Sequence, residues 1–401
     1  MNKSILFVNQ NYKYGGIERA FVNLLEELSE KPSLDITVLS FSDNGDFRRL
    51  VPPSVTTVEG TQLLSLLART QSESWELGPA FGLLRGSFAA WSRVFSNRLP
   101  ILLTTGSYKV RRSYDYAISF MSMPDSKLYW GGTNEFVINS VRATHKMAFL
   151  HCDFERNGCN TAYARDLYRR FDRIAACSNG CRKSFLRACP QLAERTSVVR
   201  NCLDYRQIHS LSKVDGFVYN KNAINILSVG RLSVEKGFDR AIRAIAKLCD
   251  QGLSVLYHIV GDGIEGERLA RLARDCGATD RVVFHGRQAN PYRFMVGADL
   301  LLVSSHHEAA PMVIDEAQCL GLPVLTTETI SAREMVEDGV SGWVCENSDE
   351  GIADSLTRLV GQREVLRSAR AELGKRQWSN DLAVGQFMNL LDGVDEKGRQ
   401  L

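Results

Sequence analysis

The feature that most constrains the fold is a repeated order of apolar strand, glycine-containing turn and amphipathic helix. The first copy runs from SILFVN through Gly15-Gly16 into IERAFVNLLEELSE, where Phe21, Leu24 and Leu28 share one helical face. A later copy runs from INILSVG into the segment that ends in AIRAIAKL. This order is typical of parallel α/β units. We therefore expect doubly wound parallel sheets.

The length predicts two domains, because 401 residues exceed what one hydrophobic core usually supports. Strand patterns fall into two groups, with SILFVN, LDITVLSF, YDYAISFM, HKMAFLHCD and DRIAACS in the first, and INILSVG, LSVLYHIV, RVVFHGR, DLLLVSS and PVLTTET in the second. The polar segment SKVDGFVYNKN between them is typical of a linker. We predict one domain over 1–210 and another over 211–375, with a final helix in 376–401 packing back on the first. Gln62 to Ser113 should form helices and a loop.

The composition is that of an ordinary globular protein, with 44% hydrophobic and 24% charged residues. The chain shows neither a signal peptide pattern at MNKSILFVNQ nor an apolar run near the roughly 18 residues of a membrane span. Its ten cysteines form no CxxC pair, so we expect buried thiols in a reducing compartment and no metal site. These features predict a cytoplasmic protein.

Positive charge is concentrated in the first half. Residues 1–215 hold 28 Lys and Arg against 20 Asp and Glu, a net charge of +8, and the remainder has −5. Leu77 to Tyr114 carries six basic residues, no acidic one and several large apolar side chains. This pattern fits peripheral contact with an anionic membrane on its cytoplasmic face. It fits equally a solvated helical face that packs on the core. We expect no nucleic-acid partner.

Three motifs of the second half point to a phosphate-bearing ligand. In VGRLSVEKGFDRAI, a strand-turn-helix segment brings Arg231 and Lys236 to the carboxyl edge of a sheet, where a diphosphate would be held. IVGDGIEGERL matches GxGxxG, but the next strand ends in HGR and lacks the acidic residue that binds the ribose of NAD. We therefore interpret Gly261 and Gly263 as a tight turn near phosphate.

The third motif is SSHHEAAPMVIDEAQCLGLPVLTT. Pro311 suits a first helical turn, while Gly321 and Pro323 end the helix, which predicts a short helix from about Met312 to Leu320. Glu308 precedes this helix and Glu316 lies inside it. Carboxylates accept hydrogen bonds from vicinal hydroxyls, so the pair suits the sugar and the ribose of one nucleotide. His306 and His307 lack a metal-binding pattern.

These motifs, in this order, resemble the retaining GT-B glycosyltransferases of family 4, in which two glutamates separated by seven residues mark the donor site. The resemblance covers nearly the whole chain. It implies two Rossmann-like domains facing across a cleft, with a nucleotide diphosphate sugar, most simply a UDP-sugar, in the second. No cofactor or metal is implied, because fixed cations would neutralise the diphosphate.

The resemblance also implies roles for individual residues. Arg231 and Lys236 would stabilise the departing nucleotide, Glu308 would orient the sugar, and Glu316 would bind the ribose. The loop at Gly286 and Arg287 would flank the base. Backbone groups at Ala310, Pro311 and Met312 would face the phosphate or sugar, although Pro311 has no N–H. Ala309 and Ala310 stand where many relatives carry glycine or other residues. The identity of the donor sugar therefore cannot be inferred from the family.

In the first domain, Gly15 and Gly16 match the family's glycine turn facing the phosphates. His151, at the strand end within FLHCDF, matches the family's active-centre histidine and would contact the reacting sugar. His151, Lys236 and Glu308 thus form the implied catalytic set. A histidine in this position is also compatible with a structural role.

The resemblance extends to enzymes that build capsule, O-antigen or exopolysaccharide repeat units. We therefore expect hexosyl transfer with retention to a lipid-linked or saccharide acceptor. Two alternatives stay open. A GT-B nucleotide-sugar epimerase would use the same donor site, and a non-catalytic nucleotide-binding regulatory protein could keep the fold without the reaction.

Overall fold

The chain divides into two compact units, and the computed structural model describes residues 2–393. Unit 1 comprises the described residues of Met1–Leu203 and Asn380–Leu401, and unit 2 is Asp204–Ser379. These limits lie close to those predicted from the sequence. The part of the predicted final helix beyond residue 393 lies outside the described residues.

Unit 1 contains a seven-stranded parallel sheet in the order β3-β2-β1-β4-β5-β6-β7. Its strands are β1 (Lys3–Asn9), β2 (Leu34–Ser40), β3 (Thr56–Glu59), β4 (Ser113–Ser119), β5 (Arg142–Leu150), β6 (Arg173–Ala176) and β7 (Thr196–Val198). The central strands are buried on both faces, which explains their continuous apolar sequences. The two edge strands, β3 and β7, were not predicted.

Helices cover this sheet and supply the segment without strands. They are α1 (Gly16–Ser29), α2 (Gln62–Ser65), α3 (Gln71–Glu76), α4 (Pro79–Val94), α5 (Arg98–Gly106), α6 (Thr133–Ser140), α7 (Ala162–Tyr168) and α8 (Asn179–Ala188). The helices expected between Gln62 and Ser113 are therefore confirmed as α2 to α5.

Unit 2 contains a six-stranded parallel sheet in the order β10-β9-β8-β11-β12-β13. Its elements are α9 (Tyr205–Ser212), β8 (Ile224–Val229), α10 (Phe238–Asp250), β9 (Val255–Val260), α11 (Gly266–Asp275), β10 (Val282–Phe284), α12 (Tyr292–Met295), β11 (Leu300–Val303), α13 (Met312–Cys319), β12 (Val324–Thr327), α14 (Ala332–Met335), β13 (Gly342–Cys345), α15 (Asp349–Val360) and α16 (Arg363–Leu373). Each unit is thus Rossmann-like, as the predicted fold class requires.

The strand order of unit 2 places a topological switch point between β8 and β11. These strands are adjacent in the sheet, yet the chain proceeds from β8 to β9 on one side and from β11 to β12 on the other. In open α/β sheets, ligands bind outside the carboxyl ends of the strands at this point. The loops after β8 and β11 are therefore where the fold favours a ligand.

The last described helix, α17 (Asp381–Asp392), completes the core of unit 1. The ring of Phe387 stacks on that of Phe7, with centroids 5.9 Å apart. Tyr116 Oη donates to the carbonyl oxygen of Leu391 at 2.8 Å, and Arg173 Nη1 donates to that of Leu390 at 2.6 Å. The chain thus returns to unit 1 after finishing unit 2.

The predicted linker SKVDGFVYNKN is wrong, because this segment packs onto unit 2. The Phe217 ring lies 4.8 Å from that of Phe294, and Tyr219 Oη donates to the Phe294 carbonyl at 2.8 Å. Two aromatic side chains in a polar stretch are enough to anchor it.

No helix within residues 2–393 is both long enough and apolar enough to cross a membrane. The ten cysteines are all free thiols, and seven of them are buried.

Candidate functional site

The turn after β8 carries the two predicted cations to the carboxyl edge of the unit 2 sheet. Its backbone is tied to the neighbouring turn after β9, since Leu232 N donates to the carbonyl of Asp262 at 2.9 Å. Arg231 is exposed at the start of the turn, and Lys236 is half-buried at its end. The charges of Arg231 and Lys236 act on the nearby Glu235 carboxylate. Burial raises the pKa of Glu235, but a hydrogen bond with Ser233 and these two cations bring the pKa below its ordinary value.

Gly237 lets this turn pack against the end of β11. Its φ is +62°, a left-handed conformation that side chains rarely adopt, and an added Cβ would overlap the carbonyl oxygen of Ser304. Ser304 Oγ in turn donates to the Lys236 carbonyl at 3.2 Å. The end of the turn that follows β8 is therefore held against the end of β11 at the switch point.

This packing brings Lys236 and Glu308 into an ion pair. Lys236 Nζ lies 2.6 Å from Glu308 Oε1, and Ser305 Oγ donates to the same oxygen at 2.8 Å. The two side chains are 30% and 13% exposed, so the pair is shielded but still open to a ligand. Two predicted site residues 72 positions apart thus meet in one place.

A buried arginine that the sequence reasoning missed supports this loop from behind. Arg240 on α10 is 3% exposed and pairs with Asp349 at 3.0 Å. It also donates to Asn347 Oδ1 at 2.8 Å and lies 3.3 Å from His306 Nδ1. Arg240 therefore positions the segment that leads to Glu308. Its only sequence signal was a charged residue within the apolar face of a predicted helix.

The glycines of the GxGxxG pattern lie against the Arg231 turn. Gly261 has φ +151°, and a Cβ there would overlap the carbonyl of Gly230. Gly263 lies over the backbone of Leu232, and Gly261 N donates to the carbonyl of Gly286 at 2.9 Å. The structure thus explains Gly261 and Gly263 by the close approach of three loops. Their contact with a donor stays a prediction.

The Glu316 carboxylate contacts α12, whereas the Glu308 carboxylate pairs with Lys236. Tyr292 Oη, on α12, donates to Glu316 Oε1 at 3.3 Å. The predicted helix is confirmed as α13, which begins at Met312 after Pro311 and ends before Gly321. Its N-terminal N–H groups follow the Glu308 loop, and such groups suit an anion.

Two further predicted residues occupy the loops that flank these carboxylates. Ala310 is half-buried between Glu308 and α13, and Arg287 is exposed in the loop after β10. Both lie in loops that follow a strand at the same sheet edge as the Arg231 turn.

The predicted residues of unit 1 lie at the carboxyl ends of its own strands. Gly15 precedes the first turn of α1, and Gly16 begins that helix beside open space. His151 follows β5 directly, and its N–H donates to Ser122 Oγ at 2.6 Å. Its Nε2 is buried and has no hydrogen-bond partner among residues 2–393.

Cys177, after β6, is a neighbour of His151 that the sequence did not single out. Hydrogen bonding with Cys181 lowers the pKa of Cys177 to about 6 against the effect of burial, and His151 adds to this shift. The Cys177 thiol therefore lies beside the His151 ring. His151 also stacks on Phe149, with centroids 5.5 Å apart, so its ring is fixed in orientation.

The second half of the chain matches a known family. Residues 215–377 match the family model described as glycosyl transferases group 1. Lipopolysaccharide core biosynthesis glycosyltransferase LpsE of Rhizobium meliloti is 34% identical over 40% of this chain and 45% of its own length. Amylovoran biosynthesis glycosyltransferase AmsK of Erwinia amylovora is 31% identical, over 42% and 44% respectively. The chain thus spans about half the length of the curated relatives it matches.

Solved structures match along almost the whole chain. Alr3699/HepE of Anabaena, in complex with UDP and glucose, has a TM-score of 0.69 and 21% identity, covering 98% of this chain and 100% of that one. WaaG, a glycosyltransferase involved in lipopolysaccharide biosynthesis, has a TM-score of 0.62 and 19% identity, covering 97% and 100%. These structures confirm the fold of both units. The family match places a glycosyl transferases group 1 domain at residues 215–377 of the chain.

Proposed function

We propose that this protein is a retaining glycosyltransferase that moves a hexosyl group from a UDP-sugar to a lipid-linked or saccharide acceptor in surface polysaccharide synthesis. The observation that carries the proposal is the Lys236–Glu308 pair at the switch point of unit 2. The glycosyltransferase domain around it supports the reaction class. The choice of UDP is supported by the complexes of HepE with UDP and with UDP-glucose.

Different loops of unit 2 would bind the diphosphate, the sugar and the ribose of the donor. Lys236 and Arg231 would neutralise the diphosphate, and Lys236 would leave Glu308 as the phosphate arrives. The released Glu308 carboxylate would then accept hydrogen bonds from the sugar hydroxyls, while Glu316 would accept those of the ribose. The ion pair therefore keeps both groups in place before the donor binds.

The remaining donor contacts would come from the loops around that pair. The N–H groups of Ala310 and Met312 would face the phosphate or the sugar. The Gly286 and Arg287 loop would flank the base, and Gly261 and Gly263 would let the backbone approach the phosphate.

Retention follows if the acceptor hydroxyl attacks the anomeric carbon on the face that the nucleotide leaves. The bond from the anomeric carbon to the acceptor oxygen forms as the bond to the phosphate oxygen breaks. The hydroxyl proton passes to the departing phosphate, so no separate protein base is needed. His151 would contact the reacting sugar, and Lys236 would stabilise the charge on the leaving group in place of a metal.

Unit 1 would bind the acceptor and rest on an anionic membrane through α4. Leu83, Trp91, Val94 and Phe95 lie along one stripe of this helix and its end, and all four are exposed. The rings of Trp91 and Phe95 are 4.6 Å apart. The stretch from Leu77 to Tyr114 holds six basic residues and no acidic one. Apolar stripes flanked by cations suit the headgroup region of a bilayer.

The function is tested with purified protein and a panel of UDP-, GDP- and ADP-sugars. Thermal shift identifies the donor, and nucleotide release with a saccharide or lipid-linked acceptor measures transfer in the presence of EDTA. NMR of the product gives the anomeric configuration. We expect acceptor-dependent release of UDP, an unchanged anomeric configuration and no effect of EDTA. Epimerised donor without acceptor, or donor binding with no turnover across the panel, would contradict the proposal.

A further inference from the structure

A cavity of about 320 Å³ lies in unit 1 among α5, α6 and α7. Its wall includes Arg98, Leu102, Asn139, Tyr163, Asp166 and Arg170. Arg98 and Tyr163 lie in the first turns of α5 and α7, whereas Asn139 and Arg170 lie at or after the ends of α6 and α7, so the wall runs along these helices. Neither Gly16 nor His151 is among the lining residues, so the cavity is distinct from the predicted site residues of unit 1.

Two arginines of this wall, Arg98 and Arg170, carry positive charge. The Arg98 guanidinium lies 4.7 Å from the centroid of the Tyr163 ring, and Arg170 Nη2 donates to Asn139 Oδ1 at 2.9 Å. Within residues 2–393, neither guanidinium is within 4.0 Å of a carboxylate. Asp166 lies instead 3.8 Å from Arg169. Both arginines thus keep N–H donors available for a ligand.

The groups behind the cavity add little negative charge. Glu135 is 1% exposed and accepts a hydrogen bond from Tyr163 Oη at 3.3 Å. Burial raises the pKa of Glu135 to about 7, so a large part of this carboxyl is neutral near that pH. The ammonium of Lys146 donates to the carbonyl of Ile138 at 2.7 Å, close enough to Arg170 for the two charges to interact. Asp172 offsets the charge of Lys146, which leaves Arg98 and Arg170 as the positive charges that favour an anion.

An apolar surface adjoins the cavity on α5. Arg98 and Leu102, one turn apart, line the cavity, while Leu99 and Leu103 on the next stripe are exposed. A ligand whose charged group enters the cavity can therefore lay a hydrocarbon part on the leucines. Helix α4, with its exposed aromatic stripe, packs against the same helix.

We propose that this cavity binds the phosphate group of an amphiphilic phosphate ester, with Arg98 and Arg170 as its ligands and the hydrocarbon part against Leu99 and Leu103. Arginine presents parallel N–H donors that match phosphate oxygens, and two arginines on one cavity wall supply more of these donors than a single surface charge. The volume suits a headgroup rather than a whole lipid. The inference does not depend on sugar transfer, because binding here needs no donor.

The test uses decyl phosphate as the probe, with the full chain in a calorimeter and no nucleotide present. We expect Arg98→Gln and Arg170→Gln each to weaken binding by about tenfold or more. Arg49→Gln is the matched control, since Arg49 is an exposed arginine of unit 1 outside the cavity wall, and it should change binding by less than about twofold. Circular dichroism confirms that each variant is folded.

Two further arms identify the source of the phosphate. A parallel loss of co-flotation with phosphatidylglycerol vesicles in the cavity variants would assign a membrane phospholipid. Loss of decyl phosphate binding with unchanged co-flotation would assign a soluble phosphate ester, and both results support the cavity as a phosphate site. Equal binding by the parent and both cavity variants would overturn the proposal. So would an equal loss in Arg49→Gln, because that would indicate general charge attraction.

Discussion

Lys236 Nζ and Glu308 Oε1 lie 2.6 Å apart, joining the turn after β8 to the loop after β11. The ammonium group is the natural partner of a donor diphosphate, and the carboxylate is the natural partner of sugar hydroxyls. The two side chains therefore pair with each other until a ligand supplies a phosphate for Lys236 and hydroxyl groups for Glu308. This reciprocal arrangement predicts that the pair responds differently to UDP and to a UDP-sugar.

Glu308→Gln should separate recognition of the sugar from recognition of the nucleotide. The variant leaves Lys236 without its anionic partner, so UDP should bind at least as tightly as in the parent. The Kd of the UDP-sugar should rise by about tenfold, because a carboxylate that accepts from the sugar hydroxyls is lost. Titration calorimetry with each ligand measures both constants. Equal loss of affinity for UDP and for the UDP-sugar would contradict the assigned role.

Gly237→Ala should disturb the site through the backbone. A Cβ at φ +62° is strained and would overlap the Ser304 carbonyl, so we expect unfolding to become easier by about 2–4 kcal/mol and donor affinity to fall. Gly252→Ala is the matched control, because Gly252 has φ +76° and open space around it. That variant should lose only about 1 kcal/mol. Similar losses in urea denaturation of the two variants would show that contact with Ser304 is unimportant.

The buried Glu135 predicts a pH dependence of stability. Burial raises its pKa to about 7 in the folded chain, above the ordinary value of 4.5, so the native state holds this proton more firmly than the unfolded state. The protonated Glu135 carboxyl therefore stabilises the folded chain fully below the pKa that it has in the unfolded chain. This stabilisation is lost as the pH rises through about 7. We expect the parent to lose about 3 kcal/mol more than Glu135→Gln between about pH 4.5 and pH 8. The free energy of unfolding in urea measures this difference, and parallel declines in the two proteins would refute it.

The exposed stripe of α4 predicts binding to anionic vesicles. Replacing Trp91 and Phe95 by Ala should reduce co-flotation with phosphatidylglycerol vesicles several-fold at low salt, because two aromatic anchors are lost. Val218→Ala serves as the control, since Val218 is exposed but lies in unit 2. Phosphatidylcholine vesicles should retain little protein. Unchanged flotation of the double variant would exclude α4 as the anchor.

The sequence predicted the elements that are buried and apolar more reliably than those that are not. Central strands such as β1 and β5 have continuous apolar runs, whereas β3 is the mostly exposed TTVE and β7 has only three residues. Edge strands need little apolar sequence because one side has no partner strand, so periodicity did not reveal them.

The sequence predicted which side chains would form the donor site but not their pairing. Lys236 and Glu308 were both identified, yet their contact depends on β8 and β11 being neighbours. Arg240 and Arg243 are three residues apart on α10, and only tertiary packing buries the first while leaving the second exposed. Position in the sheet therefore supplied what local sequence could not.

The role of Lys236 is tested by the turnover of Lys236→Ala with the UDP-sugar that the parent uses. We expect kcat to fall about a thousandfold, because the fixed cation that stabilises the departing diphosphate is removed, with little change in melting temperature. Lys247→Ala, on the exposed side of α10, should retain parental turnover. A folded Lys236→Ala protein that transfers sugar at the parental rate would contradict the central claim.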